Sequence, residues 1–135
     1  MRQLIYYLAI GLFVVSCSSA TNTTSSKDTK LPDGAVKIAN EELEYEIIIM
    51  DNGFETFLYS IAKPSHFYTQ DYYESKNKFY VTHWNIRAMH PLEYDSSIYE
   101  NVIDYDFNTD YGLDVNYKLY NYFKFVEYKY NQHFF

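Results

Sequence analysis

Apolar and polar positions first fall into a clear pattern over residues 43–50, where Leu43, Tyr45, Ile47 and Ile49 alternate with Glu44, Glu46, Ile48 and Met50. That period of two predicts a strand, half-exposed at its start and buried on both faces at its end. Asp51-Asn52-Gly53 interrupts it, and Asn52 followed by Glu55 has the form of a capping box. Phe54, Phe57, Leu58 and Ile61 then share one helical face until Lys63-Pro64, because the residue before proline avoids helical angles. Thr69 is placed to cap a longer helix running to about Met89, ahead of Pro91. Tyr72, Phe79, His83, Ile86 and His90 lie near one line of it, and Tyr73, Tyr80, Trp84 and Arg87 lie on the adjoining line. Over residues 98–105, Ile98, Glu100, Val102 and Asp104 alternate with Tyr99, Asn101, Ile103 and Tyr105, which predicts a second strand. Residues 113–130 contain neither Gly nor Pro and carry apolar side chains most of the way round a helix. Such a helix is central to its fold or covers a partner. The order β-α-α-β-α predicts a small single α+β domain, with a two-stranded sheet packed on aromatic-rich helices.

The first 40 residues follow none of these periods. Met1-Arg2-Gln3 precedes a largely apolar run over residues 4–15, softened by Tyr6, Tyr7 and Gly11. A bilayer-spanning helix needs about 20 apolar residues, so the run has the length of a signal-peptide core instead. It ends in Val14-Val15-Ser16-Cys17, which resembles a bacterial lipobox, and Cys17 is the chain's single cysteine. A lone cysteine cannot form an internal disulfide, and acylation would explain an unpaired thiol in an exported chain. The reading is therefore a signal peptide over residues 1–16, a lipidated Cys17 heading a flexible Ser/Thr-rich tether over 17–40, and a folded domain over 41–135. A coil of that length spans about 25 Å, so the lipid bilayer reached through Cys17 is the first expected partner.

Composition adds two constraints. The formal net charge is −7, with 11 Lys and Arg against 18 Asp and Glu, and no basic cluster breaks the acidic surface. Phosphate backbones are repelled by such a field, so nucleic acid is not an expected partner. Aromatic residues make up 21% of the chain, with 17 Tyr and 10 Phe. A small domain cannot bury them all, and tyrosine at a surface suits protein interfaces and sugar rings alike.

Three stretches together resemble a known group: Glu44-Tyr45-Glu46-Ile47-Ile48-Ile49, Lys76-Asn77-Lys78-Phe79-Tyr80-Val81-Thr82-His83-Trp84-Asn85, and Asp110-Tyr111-Gly112-Leu113-Asp114-Val115-Asn116-Tyr117 with Leu119-Tyr120-Asn121-Tyr122-Phe123. They are similar to small Bacteroidetes lipoproteins of flavobacterial type, whose domain has no assigned function. The resemblance implies a cell-envelope setting and carries over no substrate, cofactor or catalytic residue. Surface-exported lipoproteins of that phylum usually carry an acidic cluster after the cysteine. Residues 18–26 contain no acid, which points to the periplasmic face of the outer membrane.

Local chemistry is sparse. Asp104, Asp106, Asn108, Asp110 and Asp114 put an oxygen at nearly every second position, as a calcium loop requires. Counted from Asp104, however, the EF-hand pattern meets Thr109 and Val115 where Gly and Glu belong; counted from Asp106 it meets Tyr111 and Tyr117. A polar turn with Gly112 at its bend explains the same residues. His83, Arg87 and His90 could share a helix face, but two helical turns separate the imidazoles and no Cys or His-Glu-x-x-His pattern supplies a further zinc ligand. Arg87 is expected to pair with a carboxylate. No Gly-x-Ser-x-Gly elbow occurs, Ser96-Ser97 sit in a turn, and Glu44 with Glu46 fall on a solvated strand face.

These readings favour a non-catalytic interaction module without a cofactor, which docks on another envelope protein or on itself. Tyr117, Tyr120, Phe123 and Tyr128 of the last helix are its expected surface. The alternative is a glycan-binding module in which Tyr73, Tyr80 and Trp84 stack on sugar rings, with a small hydrolase as a third reading.

Overall fold

A computed structural model of the chain describes residue 31 and residues 35–134. The expected signal peptide and lipobox, and most of the expected tether, lie outside those residues. The elements in order are strands β1 (Val36–Asn40) and β2 (Tyr45–Ile49), helix α1 (Phe54–Ser60), a 3-10 turn at Ser65–Phe67, and helices α2 (Gln70–Ala88) and α3 (Gly112–Tyr130). None of these helices is long and apolar enough to cross a membrane. The expected α+β class, two-stranded sheet and aromatic-rich packing are all present.

The second strand is not where the alternation of residues 98–105 places it. β2 pairs antiparallel with β1, from Val36↔Ile49 through Ile38↔Ile47 to Asn40↔Tyr45. The order is thus β-β-α-α-α, and the hairpin draws in five residues assigned to the tether. Val36 and Ile38 alternate with Lys37, but a five-residue strand with two aliphatic anchors is a faint signal beside a Ser/Thr-rich tract. Val36, Ile38, Tyr45, Ile47 and Ile49 turn to the core, with Ile38 fully buried. The other face is solvated, and a Lys37–Glu46 ion pair of 2.7 Å crosses it. Ile48 and Met50 are exposed, so the end of β2 is one-faced rather than buried on both sides.

Asn40 holds the hairpin turn at both ends of its side chain. Its Oδ1 accepts from the Leu43 N–H at 3.2 Å, and its Nδ2 donates to the Tyr111 carbonyl at 3.1 Å beside the start of α3. At α1 the expected Asn52 cap is absent. The N-cap is Gly53, with a φ of 100° that L side chains rarely adopt, and no side chain caps the helix. Phe54 and Phe57 are buried as their spacing predicts, whereas Ile61 lies past the helix end and is exposed. Thr69 caps α2 as expected, its Oγ1 accepting from the Tyr72 N–H at 3.3 Å.

The two aromatic lines of α2 part company. Tyr73, Tyr80 and Trp84 point inward with Val81, while Phe79 and Ile86 face outward. α3 is the central element, touching α1, α2, β1 and the 3-10 turn. Its all-round apolar character is accounted for by those neighbours. Val115, Leu119, Phe123 and Val126 are essentially inaccessible, and Phe123 stacks on Tyr80 with ring centroids 5.0 Å apart. Phe134, beyond the last helix, closes the core against Tyr80, Trp84 and Phe123.

Candidate functional site

Residues 98–105 begin in a turn, where the Ile98 and Tyr99 N–H groups donate to the Asp95 carbonyl, and run on through residues 102–105 as a stretch that pairs with no strand among the described residues. The Asn85 side chain binds both main-chain groups of Ile103: Oδ1 accepts from its N–H at 2.7 Å, and Nδ2 donates to its C=O at 2.9 Å. A residue whose N–H and C=O reach the same side is extended. Two positions earlier, Trp84 Nε1 donates to the Asn101 carbonyl at 2.8 Å. α2 therefore supplies, from side chains, the hydrogen bonds that a neighbouring strand would have made.

Between this segment and β2 lies a half-open groove of about 830 Å³. Every residue from Glu44 to Asp51 lines it, and no residue of β1 does. Consecutive lining residues from a strand that alternates in and out mean that the groove runs along the edge of β2 opposite β1. No backbone hydrogen bond reaches that edge among the described residues. Trp84, Tyr122 and Tyr130 contribute rings to the lining. Charge among the described lining residues is one-sided, with Glu44, Glu46, Asp51, Glu100 and Asp104 present and no lysine or arginine. Lys37 neutralises Glu46, while Asp51 accepts from Lys129 and from the Tyr130 hydroxyl. Glu44, Glu100 and Asp104 form no ion pair among the described residues.

A smaller recess of about 190 Å³ lies among Phe57, Ile61, Tyr68, Tyr73 and Tyr120, with Lys63 and Lys124 at its margin. Deeper still, a polar cluster joins α2 to α3. Asn77 Nδ2 donates to the Asn116 carbonyl at 2.9 Å and to its Oδ1 at 3.1 Å, and the Tyr105 hydroxyl donates to the same Oδ1 at 2.5 Å. Asn116 Nδ2 in turn donates to the Gly112 carbonyl and to Glu74 Oε1. Both asparagines are wholly buried. Burial, then the nearby Glu74 carboxylate, pushes the Tyr105 phenol up to about 12.

Burial likewise raises Tyr45, Tyr120 and Tyr122 above the usual phenol range. A phenol is neutral below its pKa, so a raised value favours the folded state while the group stays protonated. That contribution is complete below about pH 10, the unfolded value. It is lost as pH rises through the folded values, about 12 for Tyr105. Alkaline titration followed by tyrosinate absorbance and far-ultraviolet dichroism should show a late class of phenols ionising together with loss of helix. Ionisation of every tyrosine near pH 10 with helix retained would contradict this burial.

The expected interaction surface is dispersed by the fold. Phe123 is fully buried, Tyr117 and Tyr120 are half-buried, and only Tyr128 stands exposed. Tyr117 donates its hydroxyl to the Lys63 carbonyl at 2.9 Å. The expected glycan platform fares worse, because Tyr73, Tyr80 and Trp84 are each 4% exposed or less and have no free face for a sugar ring. The reason is common to both: an aromatic helix stripe packs on the next aromatic stripe before it reaches solvent.

The aspartate-rich loop folds on itself. Asp106 accepts from the Asn108 N–H, the Asn108 amide and the Thr109 hydroxyl, and the Asn108 N–H above all holds its carboxyl below the usual range. Asp110 accepts from the Gly112 N–H and from Gln70. Asp104 lies instead on the groove. Among the described residues no three His, Cys, Asp or Glu side chains are placed to hold a metal ion. Arg87 pairs with no carboxylate among the described residues; it donates to the Tyr99 hydroxyl and the His133 carbonyl, each at 2.6 Å, and lies over the Phe134 ring. His90 Nδ1 lies 2.6 Å from the Ile86 carbonyl. Cys17 is outside the described residues.

The groove itself escapes sequence reasoning, although both its walls, residues 43–50 and 98–105, are the two stretches that read as strands. Their shared alternation was the available signal. No curated protein and no solved structure matches the chain. Its sequence is matched from residue 5 to residue 134 by the model of one family, and the chain accordingly belongs to the family of unknown function DUF6146.

Proposed function

We propose that this chain is a non-catalytic interaction module of the cell envelope, lipid-anchored through Cys17 at the periplasmic face of the outer membrane, which receives a partner protein in the groove between β2 and residues 97–104. The observation carrying this reading is the groove: two lengths of backbone face one opening, and one of them is a strand edge without partners among the described residues. The lipobox-like Val14-Val15-Ser16-Cys17 supports the anchor. Cys17→Ala is expected to leave the chain unprocessed and to abolish its acylation, read from the mass of the amino-terminal peptide. A variant that is processed normally and stays membrane-bound overturns the anchor.

The binding reading is tested in the envelope with a photo-crosslinking residue at Val102, on the groove, and at Tyr59, an exposed position of α1 that does not line it. One protein recovered reproducibly from Val102 and absent from Tyr59 is the expected result. Equal recovery from both positions, or none from Val102, overturns it.

A further inference from the structure

From the groove's backbone and charge we infer the chemistry of its occupant: a basic, extended segment of a partner protein, added as a third strand along the free edge of β2. The inference rests on the interaction-module reading above and goes further by naming the binding mode and the recognition chemistry.

An unpaired strand edge presents alternating N–H and C=O groups, and a chain laid beside it gains main-chain hydrogen bonds irrespective of sequence. β2 has such an edge, five residues or about 17 Å long. The opposite wall is built to the same end. Since the Asn101 carbonyl is spent on Trp84 and both main-chain groups of Ile103 on Asn85, the alternation of an extended chain turns those of Val102 and Asp104 to the other side, where they meet no partner among the described residues. Side chains along β2 are divided too, so an added strand would extend the apolar face of Ile47 and Ile49 on one side and meet Ile48 on the other.

Charge selects among possible occupants. Among the described residues Glu44, Glu100 and Asp104 stand on the groove without counterions, and no lysine or arginine lines it. A second copy of the chain would bring two acidic edges together, which costs like-charge repulsion. The tether offers little, because residues 17–35 hold two lysines against two aspartates. A segment alternating lysine or arginine with aliphatic residues satisfies both edge and field.

Three peptides test this against the full chain: one alternating Lys with Val, one alternating Glu with Val, and the Lys/Val peptide N-methylated at every second residue. The first should bind at least ~10-fold more tightly than either other peptide, weaken with salt, and protect β2 amides from hydrogen exchange. Replacing the exposed pair Glu100→Lys and Asp104→Lys should cost the Lys/Val peptide ~10-fold or more, with the dichroism spectrum unchanged. Equal binding of the N-methylated peptide overturns strand addition, and equal binding of the Glu/Val peptide overturns charge selection. Self-association that protects the same amides assigns the groove to a second copy and overturns the inference. Should the peptides fail while Val102 still crosslinks one envelope protein through an acidic or helical segment, this inference falls and the module reading stands. Failure of peptides and crosslinking together removes both.

Discussion

Phe123→Ala should destabilise the domain by about 3–5 kcal/mol, the usual cost of removing a fully buried aromatic ring. The ring is inaccessible, stacks on Tyr80 and packs edge-on against Phe134, with Trp84 and Tyr122 completing its surroundings. None of these neighbours can follow the lost ring inward without abandoning another contact, so much of the cavity persists. A domain of this size is stable by about 5–15 kcal/mol, and the variant would unfold at markedly lower urea. The same substitution separates two roles. An interface ring would leave the unfolding midpoint unchanged and weaken only association, and that outcome would contradict the packing described here.

Asn116→Ala is the second large effect, through unpaired groups rather than lost volume. The substitution deprives the Tyr105 hydroxyl and the Asn77 amide of their shared acceptor. It also removes the donor to the Gly112 carbonyl. Leaving a buried polar group unsatisfied costs about 1–3 kcal/mol, so the loss should reach about 2–5 kcal/mol. Asn77→Ala alone should cost less, because its Oδ1 already lacks a partner among the described residues. Combined, the two should cost less than their sum by about 0.5–3 kcal/mol, since each loses interactions with the other. Strict additivity in chemical denaturation would mean that the two amides do not act as a unit.

What the sequence revealed depended on how strongly each element was signalled. α2 was legible at both ends because Thr69 and Pro91 are strong punctuation, and α3 because the whole of residues 113–130, without Gly or Pro, leaves little else. The inward line Tyr73, Tyr80 and Trp84 was visible as a line, but its direction was not. Both lines are aromatic, and only the partner helix decides which one is covered. β1 was hidden by its shortness. The segment at 98–105 misled for a better reason: its alternation is that of an extended chain, and around Ile103 extended is what it is, although Ile98 and Tyr99 turn back on Asp95. Pairing is a property of neighbours, and here the neighbour is an asparagine on a helix.

The charge on the groove was equally visible as residues and invisible as a place. Glu44, Glu100 and Asp104 are scattered over sixty positions, and only the fold gathers them. The buried Asn77 and Asn116 carried no signal, because an asparagine on a helix is ordinarily a surface residue.

The hairpin also sets how the domain answers mechanical load. A pull arriving from the amino-terminal side reaches Val36 first, and Val36 pairs with Ile49 at the open end of the hairpin. Force applied there strains the cross-strand bonds one after another instead of all at once, so β1 peels rather than shears. The peeling meets its first firm resistance at Ile38, which must leave the core before the next pair can yield. Beyond the hairpin, Asp51 is bound to Lys129 and Tyr130 at the far end of α3, so tension passing through β2 is shared between the central helix and α1, whose Phe54 N–H also donates to the Asp51 carbonyl. Under traction the hairpin is thus the compliant joint, and the helical body behind it is the rigid one.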